Sequence, residues 1–286
     1  MTDLFQRYLK LLGIEGRPSG LSGLRTIVQR HLSSVPFENI SKLLLYDREG
    51  AGRVTTLCEF LDGIEFSDLG GTCYTSNPFL TDLLRELGYD ADLCGADMSK
   101  PNVHTCVRVR IDSIAYHVDV GFAAPFREPM GLDRLPVRVE EGENHYVLDR
   151  ERGGDGIRMS MFSGAEYCLG YVVHDPPRPR EFFDQAVLNS YALSSTFMKC
   201  LRISRIFAGY SLDLIDGKLS RHEAGKTTVA HLKTMTGLKA ALRHQLAMPR
   251  CPIESAVGIL ERLTGEPFFG AEATAGTNRG RLADGG

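Results

Sequence analysis

The chain has 286 residues, 43% of them hydrophobic and 24% charged, and its 33 basic against 36 acidic side chains leave a net charge of −3. That apolar content suffices for the core of two or three structural units, while a slightly acidic chain without a basic run argues against recognition of nucleic acid through its phosphates. No stretch approaches the roughly 18 consecutive apolar residues of a membrane-spanning helix; the charged start, Asp3 to Arg7, does not read as a signal peptide; and seven irregularly spaced cysteines make no disulfide framework, so a reduced, cytoplasmic protein is expected.

Residues 1–88 read as a helical bundle. Leu4, Phe5, Tyr8, Leu9, Leu11 and Leu12 form an apolar stripe at helical spacing, behind Thr2 or Asp3 as N-cap and before Gly13 as a stop. Ser22 is the expected cap of a second helix carrying Leu24, Ile27 and Val28, and Thr56 of a third carrying Leu57, Phe60 and Leu61. Phe79, Leu80, Leu83, Leu84 and Leu87 mark another, ended by Gly88. Pro78 lacks an N–H and crowds the turn before it, which predicts a late start or a kink there.

From 89 the period falls to two. Val103, Thr105, Val107, Val109 and Ile111 take one face and His104, Cys106, Arg108 and Arg110 the other, with a second strand at 114–120. Strands at 135–139, 145–149, 157–162 and 167–174, with Gly153-Gly154-Asp155-Gly156 as a turn, make 89–180 a β-barrel or curled sheet. After Pro176-Pro177-Arg178-Pro179, a helix at 181–188, strands at 201–208 and 211–216 and helices at 238–246 and 254–263 suggest an α/β layer over 181–269. Residues 270–286, rich in Gly and Ala, read as a disordered tail. The fold class expected is α+β.

The chemistry concentrates in Leu69-Gly70-Gly71-Thr72-Cys73-Tyr74-Thr75-Ser76-Asn77, where a Gly-Gly bend delivers a cysteine to a helix start. Exposed N–H groups and the positive end of the helix dipole favour a thiolate there. Cys58, Cys94, Cys106, Cys168, Cys200 and Cys251 have no such setting and read as packing residues. Downstream stand His104 and Asp119. If Asp112-Ser113 is a two-residue turn, Ile111 faces Ile114, Cys106 faces Asp119, and His104 lies diagonal to Asp119 on the same face, within reach of a hydrogen bond. Nucleophile, base and orienting carboxylate are then complete. The rival base, His117, falls opposite Arg108, whose charge disfavours the imidazolium a base must become. Asp119, between Val118 and Val120, suits a strand poorly unless it has a task.

These residues resemble the arylamine N-acetyltransferase family, whose cysteine sits in an Arg-Gly-Gly-x-Cys-x-Glu-x-Asn motif followed by a His and an Asp. Val35-Pro36-Phe37-Glu38-Asn39 and Val118-Asp119-Val120-Gly121-Phe122 match two further signatures of that family, and the likeness covers roughly residues 1–265. Two charges are missing: Leu69 replaces the motif arginine and Thr75 its glutamate, a pair that looks like a brace of the cysteine turn. Losing both is milder than losing one, because one alone would strand a buried charge. The resemblance implies a cysteine-proteinase-like arrangement, Cys73, His104 and Asp119 as catalytic residues, acetyl-CoA as donor and an arylamine, hydrazine or hydroxylamine as acceptor. It further implies Phe37 and Phe197 as pocket walls and Gly121 as a point of close approach to the cofactor, while Ala123 and Ala124 stand where the family is richer in glycine.

Other chemistries find little support. No Cys-x-x-Cys or His-Glu-x-x-His exists for zinc, and no metal is expected. Gly225-Lys226-Thr227 looks like the end of a phosphate loop, but Ser220 stands where that loop needs glycine. Lys226, Arg202 and Arg205 read as solvated surface charges, contact with an anionic cofactor being the sharper alternative. The triad itself points to ping-pong acyl transfer between a thioester and a small amine. The same residues would also serve an amide synthase with another donor or acceptor, a cysteine hydrolase, or a ligand-binding relative without turnover.

Overall fold

The computed structural model describes residues 1–269; the tail expected at 270–286 lies outside the described residues. The first segment holds α1 (Asp3–Leu11), α2 (Gly20–Ser34), a two-residue strand β1 (Phe37–Glu38), α3 (Ile40–Glu49), α4 (Leu57–Ser67) and α5 (Cys73–Glu86). Thr56 closes a full capping box with Glu59 at the start of α4. Helix α2 starts earlier than expected, behind Ser19 rather than Ser22. Helix α3 was not anticipated, because the consecutive Leu43, Leu44 and Leu45 blur the helical period.

The expected break at Pro78 is absent: α5 runs unbroken from Cys73 through Pro78. Pro78 costs one backbone bond near the helix start, whereas Phe79, Leu80, Leu83 and Leu84 beyond it are all buried in the largest core cluster. Tertiary burial outweighs the local penalty.

Strands β2 (Asp90–Asp97), β3 (His104–Ile111), β4 (Ile114–Val118), β5 (Met130–Gly131), β6 (Val137–Glu141), β7 (Asn144–Arg150), β8 (Ile157–Ser163) and β9 (Glu166–Val173) form one eight-stranded sheet in the order β5-β4-β3-β2-β9-β8-β7-β6. It curls into a nearly closed, barrel-like wall. Asp112 and Ser113 both take positive φ, 48° and 68°, as a two-residue hairpin turn of the mirror type requires. Ile111 therefore pairs with Ile114 and Arg108 with His117. Val107, Val109 and Val118 on this hairpin are buried against Leu80, Leu83 and Leu84 of α5, joining helix and sheet in one core.

A short 3-10 turn, Arg180–Phe183, leads into α6 (Asp184–Asn189). Then come β10 (Arg202–Ile206), β11 (Tyr210–Ile215), β12 (Lys218–Glu223), β13 (Lys226–His231), α7 (Met235–His244) and α8 (Ile253–Thr264). The hairpin β12–β13 was not anticipated, and it gives Gly225-Lys226-Thr227 its role: Ala224 and Gly225, at φ 48° and 75°, are its turn. The second sheet is ordered β1-β10-β11-β12-β13, so the Phe37–Glu38 strand pairs with Ser204 and Ile203 far along the chain. The whole is an α+β fold. Among the described residues no helix is long and apolar enough to cross a membrane.

Candidate active site

Three elements converge on Cys73, the first residue of α5. His104 opens β3, and Asp119 follows directly on β4. All three side chains are buried. The His104 Nε2–H donates to Asp119 Oδ2 at 2.8 Å, and Cys73 lies near enough to the same imidazole to act on its charge. Burial pulls the His104 imidazolium down, but the Asp119 carboxylate with its hydrogen bond and the charge on Cys73 outweigh it and hold the pKa at about 10. Asp119 meets the same balance in reverse: burial would raise it, and His104 keeps it below the ordinary carboxylate value.

Asp119 accepts four hydrogen bonds. Besides His104, Oδ2 receives the Tyr171 hydroxyl at 2.8 Å, while Oδ1 receives the Asn77 amide and the Gly121 N–H, each at 2.9 Å. Both oxygens are thereby saturated, the state that suits an ionised, acceptor-only carboxylate. His117, the rival base, donates from Nε2 to the Tyr171 oxygen at 2.8 Å, and burial lowers its pKa to about 4. It supports the network as a neutral ring. Asn77 was legible in the sequence as the last residue of the cysteine motif, four positions after Cys73 and so on the same helix face. Tyr171 carried no such signal, since it arrives from β9.

The cysteine turn is braced by Glu38 rather than by a charge pair. Glu38 Oε1 accepts from the Gly70 and Gly71 N–H groups at 3.0 and 2.6 Å, Oε2 accepts from Ser41 N–H at 2.8 Å, and the Glu38 N–H donates back to Gly71 O. Burial raises the Glu38 pKa against these bonds. Leu69 is buried in the apolar cluster beneath the second sheet. Leu69 and Thr75, the two neutral replacements, both line a cavity of about 380 Å³ that also takes in Thr72 and Tyr74 and, across from them, Lys42.

A Cβ at Gly121 would lie 2.6 Å from Cys73 Cα and 2.6 Å from Asn77 Nδ2, so its bareness lets the strand end press on the backbone of Cys73. Thr105 Oγ1 donates to Cys73 O at 2.8 Å and ties the same two elements together. Phe37 and Phe197 pack edge to face at 5.8 Å, held by the Asn39 amide donating to Phe197 O. Ala123 has a left-handed backbone, φ 63°, where glycine would be unstrained.

Arg205 corrects the surface reading. It is buried and donates to Ser33 O and Ser34 O at the end of α2, because those last carbonyls have no helical partner. Cys58 is exposed on α4 instead of packed, and all seven cysteines are free. Among the described residues no group of acidic, His and Cys side chains could hold a metal ion.

A family model described as N-acetyltransferase matches residues 20–249. An arylamine N-acetyltransferase of Mycolicibacterium smegmatis is 28% identical over 236 residues, 77% of this chain and 82% of its own. An N-malonyltransferase of Gibberella moniliformis is 30% identical over 149 residues, 44% of this chain and 42% of its own. Among solved structures, the Mycobacterium marinum arylamine N-acetyltransferase in complex with CoA superposes with a TM-score of 0.76 at 21% identity, over 91% of this chain and 98% of that one. With the family model spanning most of its length, the chain belongs to the arylamine N-acetyltransferases, a family of acyltransferase enzymes.

Proposed function

We propose that the protein moves an acetyl group from acetyl-CoA through a thioester on Cys73 to the nitrogen of an arylamine, hydrazine or hydroxylamine. The observation that carries this reading is the buried His104–Asp119 hydrogen bond beside Cys73, the first residue of α5. The Cys73 thiolate attacks the thioester carbonyl, the oxyanion faces first-turn N–H groups that have no carbonyl to meet within the helix, and the CoA sulfur leaves with the proton of the His104 imidazolium. Acylation removes the negative charge on Cys73, one of the causes that raise His104. The neutral imidazole is then a competent base, takes the proton of the attacking amine, and the collapsing tetrahedral adduct expels the Cys73 thiolate. Asp119 fixes the tautomer and stabilises the charged ring throughout. The known CoA complex of a protein with this fold supports a CoA thioester as donor.

The N-malonyltransferase among the relatives favours one second reading, the same chemistry with another acyl group or acceptor, as in a biosynthetic amide synthase. Mass spectrometry of the protein mixed with acetyl-CoA alone tests the first. An acetyl adduct on Cys73 that an arylamine then discharges is expected, and a Cys73→Ala variant that still turns over at the parental rate would end the covalent mechanism.

A further inference from the structure

Lys42 is an uncommon presence beside a cysteine turn. The residue is 7% exposed, its Nζ donates to Ser190 Oγ at 2.5 Å, and it lies 3.6 Å from the centre of the Tyr191 ring. Ser190 donates its own proton to Val187 O, so its hydroxyl is committed, and beyond Ser190 and the Tyr191 ring the ammonium keeps donor capacity for another partner. Among the described residues no carboxylate comes within 4.0 Å of Nζ. The acidic groups bordering the same cavity already have cations: Glu59 holds Arg53, and Asp62 holds Arg7. A buried cation without counter-charge is costly, and burial brings the Lys42 pKa down to about 7 although the charge on Cys73 pulls the other way.

The cavity that Lys42 lines, about 380 Å³, is large enough for part of a small molecule. Thr72 and Tyr74, which flank Cys73 in the chain, form part of its wall, and Lys42 is near enough to the sulfur to feel its charge. Leu69 and Thr75 contribute no charge of their own to the wall.

We propose that this cavity is a carboxylate subsite, in which Lys42 binds the carboxylate of a reactant whose other end is engaged at Cys73. The proposal rests on the acyl-transfer reading and names a substrate class for it. A single ammonium is a compact point charge, which one carboxylate neutralises through a charge-assisted hydrogen bond. The carboxylate could end a carboxyacyl thioester or belong to the acceptor amine, and the kinetics separate these sources.

The test compares the parent with Lys42→Met and Lys42→Arg. One arm sets kcat/KM for malonyl-CoA and succinyl-CoA against acetyl-CoA with a neutral arylamine. The other sets 4-aminobenzoate against that neutral arylamine with acetyl-CoA. Ratios cancel any effect of the Lys42 charge on Cys73 itself. A loss of about tenfold or more in the carboxylate-to-neutral ratio is expected for Lys42→Met in one arm, with Lys42→Arg retaining most of it, and the arm that responds identifies the reactant. Equilibrium binding of malonate and 4-aminobenzoate to the same three proteins gives a readout free of turnover. Should no donor be processed at all, the acyl-transfer reading fails while Lys42-dependent binding still upholds the subsite. Ratios and binding that are the same in the parent and Lys42→Met, or no binding of either carboxylate to an inactive parent, overturn it.

Discussion

Asn77 bonds to Asp119 from one turn further along the helix that begins with Cys73: its amide donates to Asp119 Oδ1 at 2.9 Å and to Thr105 O at 2.5 Å, while its own oxygen accepts from Val120 N–H at 3.0 Å. One side chain thus fixes the helix of Cys73 against β3, which opens with His104, and against the segment after β4 that holds Asp119. Asn77→Ala leaves a buried carboxylate oxygen and two backbone groups short of partners and is expected to cost about 1–3 kcal/mol of stability, read as a shift in denaturant midpoint. Asp119→Asn should keep the fold yet lower kcat/KM by roughly the 10⁴-fold seen on tautomer loss in another triad. Survival of activity in Asp119→Asn together with its loss in His117→Gln would reassign the base.

Gly121→Ala tests the contact between the strand end and Cys73. A methyl 2.6 Å from Cys73 Cα must displace backbone on one side, and overpacking of this kind costs about 1–3 kcal/mol. Because the displaced atom belongs to Cys73, kcat should fall more than KM rises. A variant with parental kinetics would show that the two segments separate without consequence for the site.

The pH dependence of stability follows from His104 and Asp119. His104 is raised to about 10 in the folded protein, above roughly 6.5 in an unfolded chain, so its contribution is fully present below that lower value and disappears as pH climbs through about 10. Asp119, held below its ordinary value, contributes above roughly 3.9 and loses its share as pH falls through the folded value. The stability difference between the parent and His104→Gln should therefore shrink between about pH 6.5 and about pH 10 in urea titrations. A difference that grows over that range contradicts the assignment of the buried ion pair.

The missing motif charges invite a double-mutant cycle on Leu69→Arg and Thr75→Glu. Leu69 is 6% exposed, so an arginine there alone places a charge in an apolar cluster and near Lys42, at a cost approaching about 3–5 kcal/mol for full burial. Thr75 is half-buried, and a glutamate there should cost less. Both together should recover a good part of the loss through their pairing. Zero coupling by thermal unfolding would mean that the two side chains do not meet across the cavity.

Local chemistry made much of this protein legible in its sequence. The Gly-Gly bend before Cys73, the apolar stripes of α1 and α4, and the two-residue turn at Asp112-Ser113 act over a few neighbours, and the last of these sets the register that brings His104 beside Asp119. What depends on distant segments was not readable. Tyr171 reaches Asp119 only because β9 closes on β2 in the curled sheet, Glu38 braces Gly70 and Gly71 from β1, and Arg205, which reads as a surface charge, is drawn inward by the unpaired carbonyls at the end of α2. Lys42 belongs with them: its side chain is buried because the segment just after α6 brings Ser190 and Tyr191 to its ammonium. Period and turn chemistry are short-ranged and leave their mark in consecutive residues, whereas a buried polar side chain is placed by whichever partners the assembled core presents to it.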